Sequence, residues 1–131
     1  MSQSQTVCEL QALAKKNQDI EVVWLYGSRA SGYSNEHSDY DLAVAFKIFN
    51  LSDLEKYLRP NELAIDWAME LDLSEYKISV VDINLVPIYL AYNIIEYGKI
   101  IYQQQTLRIY KEQNRIYGQY EYQLIEHKNH G

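Results

Sequence analysis

The chain has 131 residues, of which 47% are hydrophobic and 23% are charged, the composition of one ordinary globular domain. A net charge of −6 argues against a protein that binds nucleic acid directly, because phosphate contacts need a basic surface. No apolar run approaches the roughly 20 residues of a membrane span. The single cysteine, Cys8, excludes an internal disulfide and favours a cytoplasmic location.

The first part of the chain predicts a helix followed by two strands. Residues 6–16 have the apolar spacing of an amphipathic helix, and we expect Cys8 to lie in the core there. Residues 21–26 are almost continuously apolar, as in a strand buried on both faces. Gly27 then turns the chain into a short helix, and residues 40–46 predict the second strand.

A helix with a proline inside it follows the second strand. Ser52 and Glu55 have the spacing of a capping box, which predicts a helix start. Pro60 is expected to break this helix, because proline removes a backbone donor. Asn61 can then cap a second piece that ends near Leu71.

Two short strands and a helix come next. Residues 77–83 predict the third strand, and residues 99–102 a short edge strand. Between them, Pro87 suits the first turn of a helix and Gly98 suits its C-terminal cap.

These elements predict an α+β fold, an α/β two-layer arrangement in which a mixed β-sheet has its helices on one face. The first two strands are only about a dozen residues apart, which is too short for a crossover helix and favours a hairpin-like link. Residues 104–131 are expected to form a helical tail of the same domain, interrupted at Gly118. Its tyrosines make it a candidate partner-binding element.

Two short motifs carry the candidate chemistry. Gly27 lets backbone approach a ligand closely, and Ser28 adds a hydroxyl near a helix N-terminus, so the pair can hold a phosphate. Arg29 follows and is a candidate phosphate contact, with a surface role equally open. Asp39 and Asp41 point to one face of a strand, where two carboxylates repel unless a cation neutralises them. Mg²⁺ suits such ligands and bridges substrate phosphates.

The spacing of the two motifs resembles the signature of the DNA polymerase beta nucleotidyltransferase superfamily. The length and the flanking strands are similar to its minimal nucleotidyltransferase branch, the MntA-type antitoxins. Residues 80–87, the helix after them and residues 98–102 resemble the second half of these small domains. The resemblance covers about residues 20–103, and its signature in this chain is Gly27-Ser28-x10-Asp39-x-Asp41.

The resemblance implies a polymerase-beta-like fold, with a minimal nucleotidyltransferase domain at residues 1–103. It implies that AMP is transferred from ATP, with Mg²⁺, to a tyrosine of a cognate HEPN-type ribonuclease toxin, which silences the toxin. Gly27 and Ser28 would contact the phosphates, while Asp39 and Asp41 would be catalytic and ligate the metal. The toxin and ATP are the expected partners, with no membrane or nucleic acid among them.

One position departs from the family pattern. The family carries a third carboxylate five residues before an asparagine that matches Asn84, and this position is Ser79 here. Asp82 is the nearest acid, but an offset of three along a strand places it on the opposite face, where a strand-end or capping role is expected. A non-catalytic toxin-binding module therefore stays open as an alternative. So does a small-molecule nucleotidyltransferase of the aminoglycoside type, against which the short length counts.

Overall fold

A computed structural model describes residues 2–104 and 106–130. Within these residues, helices and strands alternate in the order α1 (Gln3–Lys16), β1 (Ile20–Tyr26), α2 (Ser28–Ser31), β2 (Tyr40–Phe46), α3 (Asp53–Glu70), β3 (Ile78–Asp82), α4 (Ile88–Tyr97), β4 (Lys99–Gln103) and α5 (Thr106–His130). None of the helices in this part of the chain is long and apolar enough to cross a bilayer.

The four strands form one mixed sheet in the order β3-β2-β1-β4. β1 pairs antiparallel with both β2 and β4, while β2 pairs parallel with β3. The predicted mixed sheet, the direct link between the first two strands and the edge position of β4 are confirmed. Because β1 and β2 are antiparallel, the end of β1 lies beside the start of β2, which brings the two sequence motifs together.

The helices cover both faces of the sheet, so the prediction that they lie on one face is wrong. On one face, Leu10 of α1 and Trp67 of α3 pack against Val23 and its neighbours in the sheet. On the other face, α4 and α5 pack against Trp24 and its neighbours. Consecutive residues of a strand point to opposite faces, so a strand that is apolar throughout needs cover on both sides.

Helix α1 begins at Gln3, earlier than predicted, because the Ser2 side chain forms a capping box with Gln5. Cys8 is exposed, which corrects its expected core position. The buried stripe of α1 runs through Thr6, Leu10 and Ala14 at spacings of four residues. Cys8 is two residues from this stripe and therefore lies on the opposite side of the helix.

Helix α3 continues through Pro60 without a break, so the predicted interruption and the recapping by Asn61 are wrong. Its start is as predicted, since the Ser52 hydroxyl accepts a hydrogen bond from the Glu55 amide at 3.1 Å. Pro60 is itself buried, together with the core-facing residues of the next two turns. Tertiary packing of this face outweighs the one helix hydrogen bond that proline removes.

Helix α5 also runs without a break across Gly118, which corrects the predicted interruption. Its first half is part of the core, where Ile109 and Ile116 are buried against the sheet and α4. From residue 121 to residue 129 almost every side chain is exposed. The N-terminal half therefore completes the domain, while the C-terminal end projects from it.

Candidate nucleotide and metal site

The turn after β1 has a geometry that only glycine satisfies. Gly27 has φ of 71° and ψ of −153° and precedes α2. Its carbonyl accepts hydrogen bonds from the amides of Ala30 and Ser31 in this helix. A Cβ at this position would collide with the side-chain oxygen Oδ2 of Asp41. Gly27 is thus needed both for the left-handed backbone and for the close approach of an acidic side chain.

The two acids meet at the start of β2. Asp41 lies opposite Tyr26 in the β1–β2 register and is half-buried, while Asp39 is exposed just before the strand. Burial, together with the charge of Asp39, raises the pKa of the Asp41 carboxyl. The structure therefore brings Gly27, Asp39 and Asp41 to one end of the sheet and places the two carboxylates within electrostatic reach of each other.

The position of the third carboxylate is occupied by serine. Ser79 pairs with Asp41 across the parallel β2–β3 ladder and is exposed, so it shares the face of the two acids. Asp82 is three residues on and points to the other face, as predicted. There its carboxylate accepts a hydrogen bond from the Asn84 amide at 2.8 Å and lies 3.5 Å from Arg59. Asp82 therefore closes the turn after β3 and takes no part in the site.

Two carboxylates fit one divalent cation, and the chemistry of the pair supports this. Within residues 2–104 and 106–130, no cluster of three or more His, Cys, Asp or Glu side chains has metal-binding geometry. Burial first, and the charge of Asp39 second, raise the pKa of the Asp41 carboxyl, so a bound cation would offset the cost of its ionised form. Asp39 and Asp41 would hold the ion, and Mg²⁺ would supply the positive charge that neutralises them.

Arg29 faces the protein interior. It is 8% exposed, and its Nε and Nη2 donate hydrogen bonds of 2.9 and 2.8 Å to the Ser38 carbonyl. Nη1 donates to Gln3 at 3.1 Å, and the guanidinium lies 4.0 Å from the centre of the Tyr40 ring. Arg29 is thus placed to hold the residue before Asp39, which is a positioning role and differs from the predicted phosphate contact.

Tyr26 is a site residue that the sequence analysis did not single out. Burial, together with the nearby charge of Asp41, raises the pKa of its phenol to about 12. The phenol therefore stays protonated at neutral pH beside the acids. A sequence signal existed, because Tyr26 is the last strand residue before Gly27 and antiparallel pairing places it across from the second acid.

The matched family asparagine, Asn84, belongs to a structural network at the end of β3, which is the opposite end of the sheet from Asp39 and Asp41. Its side chain accepts a hydrogen bond from Arg108 at 2.7 Å and donates to both carboxylate oxygens of Glu112. Both partners are buried residues of α5. Asn84 therefore anchors α5 to the end of β3 and does not contact Asp39 or Asp41.

A glycine turn that opens a helix, two carboxylates on the adjoining strand and a mixed sheet in this order define a nucleotidyltransferase domain. The polymerase beta nucleotidyltransferase family model, described as "Polymerase beta, Nucleotidyltransferase", matches residues 9–107. The chain belongs to this family, which confirms the resemblance seen in the sequence.

Similar proteins include the protein adenylyltransferase MntA of Aphanizomenon flos-aquae, which is 28% identical over 121 residues, 85% of this chain and 78% of the relative. A toxin–antitoxin crystal structure with AMP-PNP superposes with a TM-score of 0.72 at 19% identity, over 98% of this chain and 94% of that chain. A structure of tri-AMPylated Shewanella oneidensis HEPN toxin in complex with MNT antitoxin superposes with a TM-score of 0.70 at 18% identity, over 98% of this chain and 94% of that chain. These likenesses confirm the fold.

Proposed function

We propose that this protein is the antitoxin of a HEPN/MNT pair and transfers AMP from ATP to a tyrosine of the cognate HEPN ribonuclease toxin, which neutralises the toxin. The observation that carries this proposal is the close approach of the Asp41 carboxylate to Gly27, where it occupies the space that a Cβ would need and so joins the acids to the candidate phosphate turn. The similarity to an adenylyltransferase and to antitoxins in toxin complexes supports the choice of acceptor. An exposed free thiol at Cys8 supports a cytoplasmic location.

The residues of this chain have distinct parts in the proposed reaction. Gly27 and Ser28 hold the triphosphate, and Asp39 and Asp41 would hold Mg²⁺, which would supply positive charge to neutralise the phosphates. The phenol oxygen of the acceptor bonds to the α-phosphorus as the bond to the β-phosphate oxygen breaks, and pyrophosphate leaves with that electron pair. Ser79 offers no base, so the phenol proton passes to solvent, and we expect slow transfer.

The test is to incubate the purified protein with its neighbouring HEPN-type toxin, ATP and Mg²⁺ and to record the intact mass of the toxin. We expect an increase of one or more AMP groups with the wild type. The matched control, Asp39→Asn with Asp41→Asn, should give none. A toxin of unchanged mass with Mg²⁺ or Mn²⁺ would contradict the proposal.

A second function, a non-catalytic toxin-binding module, is favoured by one observation: Ser79 replaces the third carboxylate opposite Asp41. A double variant, Asp39→Ala with Asp41→Ala, decides between the two functions in cells that express the toxin. Protection equal to wild type would favour the binding module. Loss of protection while the complex still forms would favour catalysis.

A further inference from the structure

A cavity of about 390 Å³ opens beside the glycine turn and has no role in the function described so far. Its walls come from the end of β1, from α2 and from the last turn of α4, and its lining residues are Tyr26, Gly27, Ser31, Asn93, Tyr97 and Gly98. The volume is in the range of pockets that hold small ligands. Gly27 is shared between this cavity and the turn that contacts Asp41.

The lining of the cavity has the chemistry of a nucleoside site. None of the six residues carries a charge, so the cavity suits a neutral group better than a phosphate. Tyr97 lines the cavity and is 70% exposed, so its ring is accessible to a ligand. The side chain of Asn93 is also exposed, and its carboxamide makes no hydrogen bond within the described part of the chain. An aromatic ring can stack on a nucleobase, and a side-chain amide can form hydrogen bonds to the edge of the base or to the ribose.

We propose that this cavity is the nucleoside subsite, in which Tyr97 stacks on the adenine of ATP and Asn93 bonds to the base or the ribose. The inference rests on the proposed function, since it takes the triphosphate to lie at Gly27 and Ser28. A nucleotide held there extends from the turn into the adjoining cavity. α4 follows β3 and ends beside β1. Tyr97, its last residue, therefore lies close to the turn at Gly27 and Ser28.

The experiment is isothermal titration of the full chain with Mg-ATP and, separately, with Mg-tripolyphosphate, which lacks the nucleoside. We expect Tyr97→Ala to weaken ATP binding by roughly 5- to 150-fold, the range for loss of one base–aromatic stack. Binding of tripolyphosphate should not change. Asn93→Ala should weaken ATP binding in the same selective way. Circular dichroism verifies that each variant is folded.

Two controls make the result specific. Tyr97→Phe keeps the ring and should bind ATP like the wild type. Tyr76→Ala removes an exposed tyrosine outside the cavity and should also have no effect. The inference is overturned if Tyr97→Ala binds ATP as tightly as wild type, or if it affects only the Michaelis constant for the toxin, as an acceptor subsite would. Tight, Tyr97-dependent ATP binding without AMP transfer would overturn the proposed function alone.

Discussion

The fold makes the ionised form of the Asp41 carboxyl unfavourable. Burial and the Asp39 charge raise the pKa of its carboxyl, so the ionised form present at neutral pH opposes folding. We therefore expect Asp41→Asn to leave the melting temperature of the ligand-free protein unchanged or higher. The same change should abolish stabilisation by Mg-ATP, which reaches about 2.7 kcal/mol at 100 times the dissociation constant.

Thermal melts of wild type, Asp41→Asn and Asp39→Asn, each with and without Mg-ATP, check this prediction without any partner. Asp66→Asn is a control, because Asp66 lies on α3 near the residues that precede β1, at the opposite end of that strand from Gly27. If the site variants melt far below wild type without ligand, the acids are structural. If the wild type shows no shift at millimolar Mg-ATP, the nucleotide site does not function.

Arg29 acts on Asp39 through the backbone of Ser38. Its two hydrogen bonds to the Ser38 carbonyl fix the loop that presents the first acid. Arg29→Gln should reduce the free energy of unfolding by about 1.5–3 kcal/mol, the contribution of a hydrogen bond to a charged group. It should also raise the Mg²⁺ concentration for half-maximal ATP binding several-fold, because Asp39 is no longer held in place.

The Mg²⁺ titration distinguishes positioning from stability when it is run well below the melting temperature of each variant. Arg29→Lys is the conservative comparison, and it should restore stability in part but not the Mg²⁺ midpoint, since an ammonium cannot reproduce the planar fork. An unchanged midpoint in folded Arg29→Gln would show that Arg29 is only structural.

At the scale of the elements, the helix-breaking signals of Pro60 and Gly118 were misleading. Each residue disfavours a helix by an amount that packing exceeds, because α3 and α5 are long helices anchored by buried faces. The strands, by contrast, were predicted well from sequence, since β1 and β2 are apolar along their whole length. The same apolar character also implied helices on both faces, an inference that the two-layer prediction did not draw.

Gly118 allows the cost of a glycine inside a helix to be measured directly. It lies inside α5, and a Cβ added there would meet no atom within 4 Å. Gly118→Ala should therefore raise the free energy of unfolding by about 1 kcal/mol, the difference in helix propensity. Urea denaturation measures the change. Gly27→Ala is the contrasting substitution and should be strongly destabilising; a neutral or destabilising Gly118→Ala would contradict the account.

Some residues of the candidate site could be predicted from local sequence, whereas the roles of others depend on tertiary contacts. Gly27, Asp39 and Asp41 were predictable because β1 and β2 are adjacent in sequence and pair directly. The roles of Arg29 and Tyr97 were not, because they depend on contacts with Ser38 and on the place where α4 ends. The periodicity of apolar residues in a sequence does not indicate which backbone carbonyl a buried arginine will bind.

At the scale of the whole molecule, α5 is fastened to the sheet by a buried polar network. Arg108 donates to the Phe46 carbonyl at 2.8 Å and to Glu112 at 2.9 Å, so it links α5 to the end of β2. Further along, Tyr120 stacks on Tyr92 of α4 at 3.8 Å between ring centres. The part of α5 up to Tyr120 therefore belongs to the domain, and within the described part of this helix only the residues after Tyr120 have the exposure of a partner-binding extension.

Truncation tests this division of α5. A chain ending at Glu121 keeps the network and the Tyr92–Tyr120 stack, and it should melt within a few degrees of wild type. A chain ending at Gln103 loses the buried Ile109 and Ile116 and should not fold cooperatively. Native gels with the toxin then show whether the shorter extension weakens the complex, as we expect if Tyr122 and its exposed neighbours bind the partner.

Glu112 ties the stability of the whole domain to pH. Burial alone raises the pKa of its carboxyl, but hydrogen bonds from Asn84, Arg115 and Arg108 together outweigh burial, and the pKa falls below its ordinary 4.5. A lowered pKa in the folded state means that the stabilisation is complete above pH 4.5 and is lost as pH falls through the folded value. The domain should therefore lose stability in acid partly through this one residue.

The measurement is the free energy of unfolding in urea between pH 7 and pH 3 for wild type and Glu112→Gln. At pH 7 the variant should be less stable by about 3 kcal/mol, the lower end of the cost of breaking a buried ion pair, because buried Arg108 loses Glu112 at 2.9 Å and keeps only Glu21 at 3.6 Å. The gap should narrow as pH falls below 4.5, since protonation removes the same charge from the wild type. Asp41 and Asp82, whose pKa values burial raises, act in the opposite direction but are common to both proteins. Parallel pH profiles would show that Glu112 is not coupled to folding in this way.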